Sequence, residues 1–155
     1  MRTLQSRQFD VRKAPFSAMR EFIETFCAAA TLNKQTENHL VLVVDELSAN
    51  SIAHGYPALP AQTAVWPVWL TLAVTDTQIE ALYEDAAPAH NPFVNIDPPD
   101  YAGPPETWRI GGWGVPIITR IANDLRYEHS NGRNRIHFAL PANRDGQDQK
   151  VQDLG

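Results

Sequence analysis

Glu46, Asn50 and His54 recur every fourth residue in "VVDELSANSIAHGY", residues 43 to 56. Four residues turn a helix by about 400°, so a helix here carries a carboxylate, a carboxamide and an imidazole as one slowly drifting stripe. Val43, Val44, Leu47 and Ser51 fall elsewhere and suit a buried face. Such a stripe is either a solvated surface or the wall of a pocket. Asp85 ends "IEALYED" before a loop, where an aspartate commonly serves turn chemistry. "RIGGWGV", residues 109 to 115, places glycines ahead of a helix. Backbone N–H groups can approach an anion there, and the helix dipole favours negative charge. Each segment alone has an ordinary structural explanation.

The elements that must position these residues follow from periodicity. Residues 4 to 11 alternate loosely and suit an edge strand. In "FSAMREFIETFCAAATL" the apolar residues Phe16, Met19, Phe22, Ile23, Phe26 and Cys27 are spaced by threes and fours, which predicts an amphipathic helix. A second helix is expected from about Thr36 to His54, with Gly55 as a residue suited to its C-terminus. "AVWPVWLTLAVTD" and "TQIEALYEDA" predict two strands joined by a short turn around Asp76, with Pro67 at a strand start or edge. Residues 86 to 110 hold six prolines and fit neither a regular helix nor a central strand. A long irregular segment inside a compact domain is usually functional or disordered. A helix with Pro116 in its first turn follows, then a hairpin, "RYEHSNGRNRIHFALP", with "NG" as its turn signal. The order of elements predicts an α+β two-layer sandwich, a mostly antiparallel mixed sheet with helices on one face. A single domain over residues 1–141 and a polar, disordered tail over 142–155 are expected.

Composition narrows the chemistry. The chain has 155 residues, 43% of them apolar, and a formal net charge of −5. Without a basic cluster, phosphate-backbone binding to nucleic acid is not its main business. The one cysteine, Cys27, permits no internal disulfide, so a reducing, cytoplasmic setting fits best. Its place in a helix suits a small buried residue rather than a nucleophile. No run approaches the ~18 apolar residues that cross a bilayer. His54, His90, His129 and His137 show no metal-ligand spacing, and Ser48 and Ser51 lack the setting of a nucleophile elbow.

Taken together and in order, the segments resemble the GHKL ATP-binding superfamily and, within it, the anti-sigma-factor serine kinases. "DELSANSIAHGY" looks like that family's E-x3-N-x3-H-x-Y box. "EDAAPAHNPF" is similar to the box whose acidic residue holds the adenine. "GGWGVPIITRIANDLRYEHSNGRNRIHF" resembles the G-G-x-G phosphate box followed by D-x2-Y-x4-G-x-N. The resemblance covers about residues 5 to 141.

It implies an ATP- and Mg²⁺-dependent kinase that binds a sigma factor or similar partner. Its substrate would be a serine of a STAS-type anti-sigma-factor antagonist. By the same resemblance Glu46 is the general base, Asn50 the Mg²⁺ ligand and Asp85 the acceptor of the adenine amino group. Gly111, Gly112 and Gly114 form the phosphate-binding hinge of an ATP lid spanning about residues 86–112, and Arg109 is a cation near the phosphates. His54 and Tyr56 match family positions with packing and hydrogen-bonding roles. A homodimer is also implied. The chain departs from the pattern at Ala87, where the family usually has glycine, and at Ala89 and His90, which replace an apolar pair. The departure at Ala87 favours an alternative, a non-catalytic or nucleotide-sensing module that sequesters a partner. A sensor histidine kinase ranks below both, since no phosphoacceptor hairpin is present in the sequence.

Overall fold

A computed structural model describes residues 3–13, 16–94 and 114–146. The elements are β1 (Thr3–Asp10), α1 (Ser17–Ala29), α2 (Lys34–Asn50), β2 (Pro67–Val74), β3 (Gln78–Asp85), α3 (Gly114–Ile121), β4 (Asn123–Ser130) and β5 (Arg133–Pro141). Among the described residues the sheet runs β1-β2-β3-β5-β4. All four of those pairings are antiparallel, in line with the mostly antiparallel sheet expected. β1 lies at one edge, as its weak alternation implies. Pro67 opens β2, where a missing N–H costs the ladder least.

Alternation along the strands separates two faces. Val68, Leu70, Leu72, Ile79, Ala81, Tyr83, Ile136, Phe138 and Leu140 point into a core shared with the helices. Met19, Ile23 and Phe26 of α1, Leu40, Val43, Val44 and Leu47 of α2, and Ile118 of α3 cover them. Burying each such side chain contributes about 1.5–3 kcal/mol. The opposite face carries charge: Glu84 pairs with Arg135 at 2.9 Å and Arg133 at 3.3 Å, and Arg133 lies 3.5 Å over the Trp69 ring.

Local chemistry sets the element ends. The Asn33 side chain accepts from the Thr36 N–H at 2.9 Å and caps α2. The hairpin turn places Asn131 at φ 52° and Gly132 at φ 73°, the left-handed pair that a type I′ turn requires. Residues 142–144 pack on the domain, where a disordered tail from residue 142 was expected. Ala142 is buried, and the Asn33 N–H donates to the Asn143 carbonyl at 2.8 Å. Leu32 also bridges to Arg144, so packing against the end of α1 and the start of α2 orders this segment.

Cys27 is buried, and burial pushes its thiol from 9.0 up to about 12, with Glu37 adding to the effect. Its proton is held in the folded chain and lost earlier in the unfolded one. Its contribution to stability is therefore complete below pH 9 and declines as the pH rises towards 12. At pH 8 the native protein is expected to resist iodoacetamide at Cys27, whereas the denatured chain is alkylated readily; mass spectrometry of the two samples checks this.

Candidate functional site

After Asn50 the helix widens into a π turn over Ser51–Gly55, in which the Tyr56 N–H donates to the Ser51 carbonyl five residues back. Such turns shift the register of everything beyond them. The expected stripe therefore breaks. Glu46 and Asn50 stay half-buried on α2, while His54 is carried out to solvent and does not line the cavity below. Ser51 takes the inward position, and Tyr56 follows it into the core.

Tyr56 is 1% exposed and stacks on Trp66, ring centroids 5.4 Å apart and planes within 9°. Its hydroxyl donates to the Pro67 carbonyl and accepts from the Ala86 N–H, the latter at 2.8 Å. It thus clamps the start of β2 to the residue after Asp85. Burial raises its hydroxyl above the ordinary tyrosine range.

Asp85, at the end of β3, is buried without a cation in hydrogen-bond contact among the described residues. Hydrogen bonds replace water around it. Oδ2 accepts from Ser51 Oγ at 2.6 Å, and Oδ1 accepts from Asn134 Nδ2 at 2.8 Å and the Ala87 N–H at 3.1 Å. Ser51 has one proton, and a charge-assisted bond to the carboxylate is its strongest use. Tyr83 then donates to Ser51 Oγ across 2.8 Å, and its burial raises its own hydroxyl, keeping that donor protonated. A carboxylate has about four acceptor sites. The described residues fill three and leave one on Oδ2.

Asn134 is the organising residue that sequence reasoning quoted in a motif but gave no role. Its Nδ2 also donates to the Ala87 and Pro88 carbonyls, both at 3.1 Å. Its Oδ1 accepts from the His90 N–H at 3.1 Å and from the Tyr127 hydroxyl. Ser51 and Tyr83 were missed as well. Ser51 read correctly as buried, and no pattern distinguishes a buried serine that holds a carboxylate.

Asn50, Ser51, Gly55, Asp85, Asn134, His90 and Pro92 line one cavity of about 20 Å³. The segment Pro88–Phe93 forms one wall, tied down through Asn134. A larger concavity of about 340 Å³, on the sheet face away from the helices, is lined by none of the predicted site residues among those described.

Glu46 stands apart from that cavity, one helical turn before Asn50. It packs on Gly114, the first residue of α3. A Cβ added to Gly114 would come within 2.0 Å of Glu46 Oε2, so a side chain at this position would require the carboxylate to move. The dipole of α3 favours a negative charge at this end. Arg109, Gly111 and Gly112, with most of the expected lid, lie outside the described residues.

Three acidic or histidine ligands do not converge anywhere among the described residues. The donor set fits magnesium only in one form. Asn50 supplies one hard oxygen, and Mg²⁺ typically takes few protein ligands, keeping waters and substrate phosphates.

The family model of the histidine kinase-like ATPase domain matches residues 9–140. No curated protein matches the chain.

Proposed function

The chain belongs to the histidine kinase-like ATPase domain family, and from that premise we propose that it is an ATP- and Mg²⁺-dependent protein-serine kinase of the anti-sigma-factor type. The observation that carries the reading is Asp85. A buried carboxylate that lines a cavity has three of its roughly four acceptor sites filled by donors among the described residues, and the remaining one suits an exocyclic amino group such as adenine's.

The other roles follow from position. Asn50, on the same cavity, would hold Mg²⁺ by its side-chain oxygen. When bound, the metal supplies positive charge to the phosphates. Glu46, beside the start of α3, takes the proton of an incoming serine hydroxyl. The serine oxygen bonds to the γ-phosphorus, the bond from that phosphorus to the bridging oxygen breaks, and ADP leaves. Gly114, with Arg109, Gly111 and Gly112, would meet the phosphates as part of the lid. The substrate in this reading is a serine of a STAS-type anti-sigma-factor antagonist, and the other partner is a sigma factor bound to a cytoplasmic homodimer.

Calorimetric titration with ATP, with and without Mg²⁺ and with GTP as control, tests the reading. Magnesium-dependent uptake that prefers ATP is expected, followed by transfer of the γ-phosphate to a partner serine. One observation favours a second reading. The cavity at Asp85 is far smaller than a purine, as a partner-sequestering module with a lapsed nucleotide site would be. No uptake at millimolar nucleotide would overturn the kinase reading and leave that module as the better one.

A further inference from the structure

Gly55 has no conformational reason to be glycine. Its φ of −89° and ψ of −71° are open to any residue. Its reason is a neighbour. A Cβ built on Gly55 would stand 2.8 Å from the Ala87 Cβ, where two carbons pack best at about 3.5–4.0 Å. Ala87 is 2% exposed and belongs to the hydrophobic core. Nor can the backbone give easily. The Ala87 N–H is bound to Asp85 Oδ1 and its carbonyl to Asn134 Nδ2, while the Ala86 N–H is bound to Tyr56, the residue next to Gly55. Ala87 itself is absent from the positive-φ residues, so its methyl imposes no backbone strain.

We propose that Gly55 and Ala87 are a size-matched pair of positioning residues: the one methyl between the π turn and the backbone two residues beyond β3 sets where Asp85 presents its remaining acceptor. The pair contributes no atom to a ligand. It acts by fixing the distance between the end of α2, which carries Asn50, and the end of β3, which carries Asp85. A second methyl would push these apart and loosen the Ala87–Asp85–Asn134 bonds. Moving the single methyl from one side to the other would preserve the spacing.

The functional arm rests on the nucleotide-binding reading; the packing arm does not. The test compares the full-length chain with Gly55→Ala, Ala87→Gly and the double variant, by thermal denaturation without nucleotide and by calorimetric titration with Mg-ATP well below every transition. Gly55→Ala is expected to lower Tm by about 5 °C and weaken Mg-ATP binding at least about tenfold. Ala87→Gly, which leaves no methyl in the gap, should weaken binding by more than about threefold, and the double variant, with one methyl, should return to within about threefold of the parent. If Gly55→Ala does not fold, a folded double variant carries the same conclusion and an unfolded one overturns it. Folded Gly55→Ala with parental affinity would reduce the pair to packing and overturn the positioning role. Additive Tm changes would overturn the coupling itself. A parent chain that takes up no Mg-ATP overturns the kinase reading and the positioning role together, and the Tm cycle then decides the packing arm alone.

Discussion

Glu46→Gln is expected to reduce phosphotransfer by about 10²–10⁴-fold and leave Mg-ATP affinity within about threefold of the parent. Glutamine keeps the length and shape that pack on Gly114, so the start of α3 is undisturbed. It cannot take a proton from a serine hydroxyl. Because Glu46 does not line the cavity at Asp85, the base-binding interactions do not depend on its charge. Calorimetry and single-turnover transfer from labelled ATP to the partner serine separate the two effects. Undiminished transfer by the folded variant would exclude Glu46 as the base.

Asp85→Asn is expected to weaken ATP binding by about 10–100-fold, the scale of one hydrogen bond to a charged group. The surroundings dictate how the carboxamide turns. Two donors that cannot reverse, Asn134 Nδ2 and the Ala87 N–H, converge on Oδ1. The amide oxygen must stay there, so the NH₂ takes the place of Oδ2. Ser51 can rotate its hydroxyl and accept instead, which lets the variant fold. The NH₂ then confronts an adenine amino group donor to donor. Inosine triphosphate, with a carbonyl at that ring position, should lose far less. Competition titrations of ATP against inosine triphosphate read the change in preference. An unchanged ratio would mean that Asp85 does not contact the base.

Glu46, Asn50 and Asp85 were named from spacing and from the motif, and the sequence also pointed to the helices, the edge strand and the hairpin turn. Those features are local, and residue type nearly dictates them. The π turn was not legible. Counting by fours assumes a uniform helix, and the widening after Asn50 shows only once residues 51–56 pack against β2 and β3. His54 was misplaced for that reason. Gly55 looked like a helix-end glycine, and its true constraint is the Ala87 methyl, thirty-two residues away in sequence. The family's usual glycine two residues after the aspartate made Ala87 seem a defect. Its ordinary backbone and its fit against Gly55 show how the methyl is accommodated. Asn134 stood in a quoted pattern, yet a pattern tells where a residue recurs and not which five partners it holds.

The 20 Å³ cavity has a kinetic meaning. It has room for about one water, so in the nucleotide-binding reading a purine would require Pro88–Phe93 to move aside. Such a motion would give up the bonds from Asn134 to Pro88 and His90, and Asn134 could keep its bond to Asp85. In that reading the present form would be shut, and only an open form, with that segment displaced, would be competent to bind. Measured affinity is then the intrinsic affinity multiplied by the open fraction, so one molecule open in about a hundred weakens binding about 100-fold. A protein or ligand that stabilises the open form would raise nucleotide affinity without touching the nucleotide.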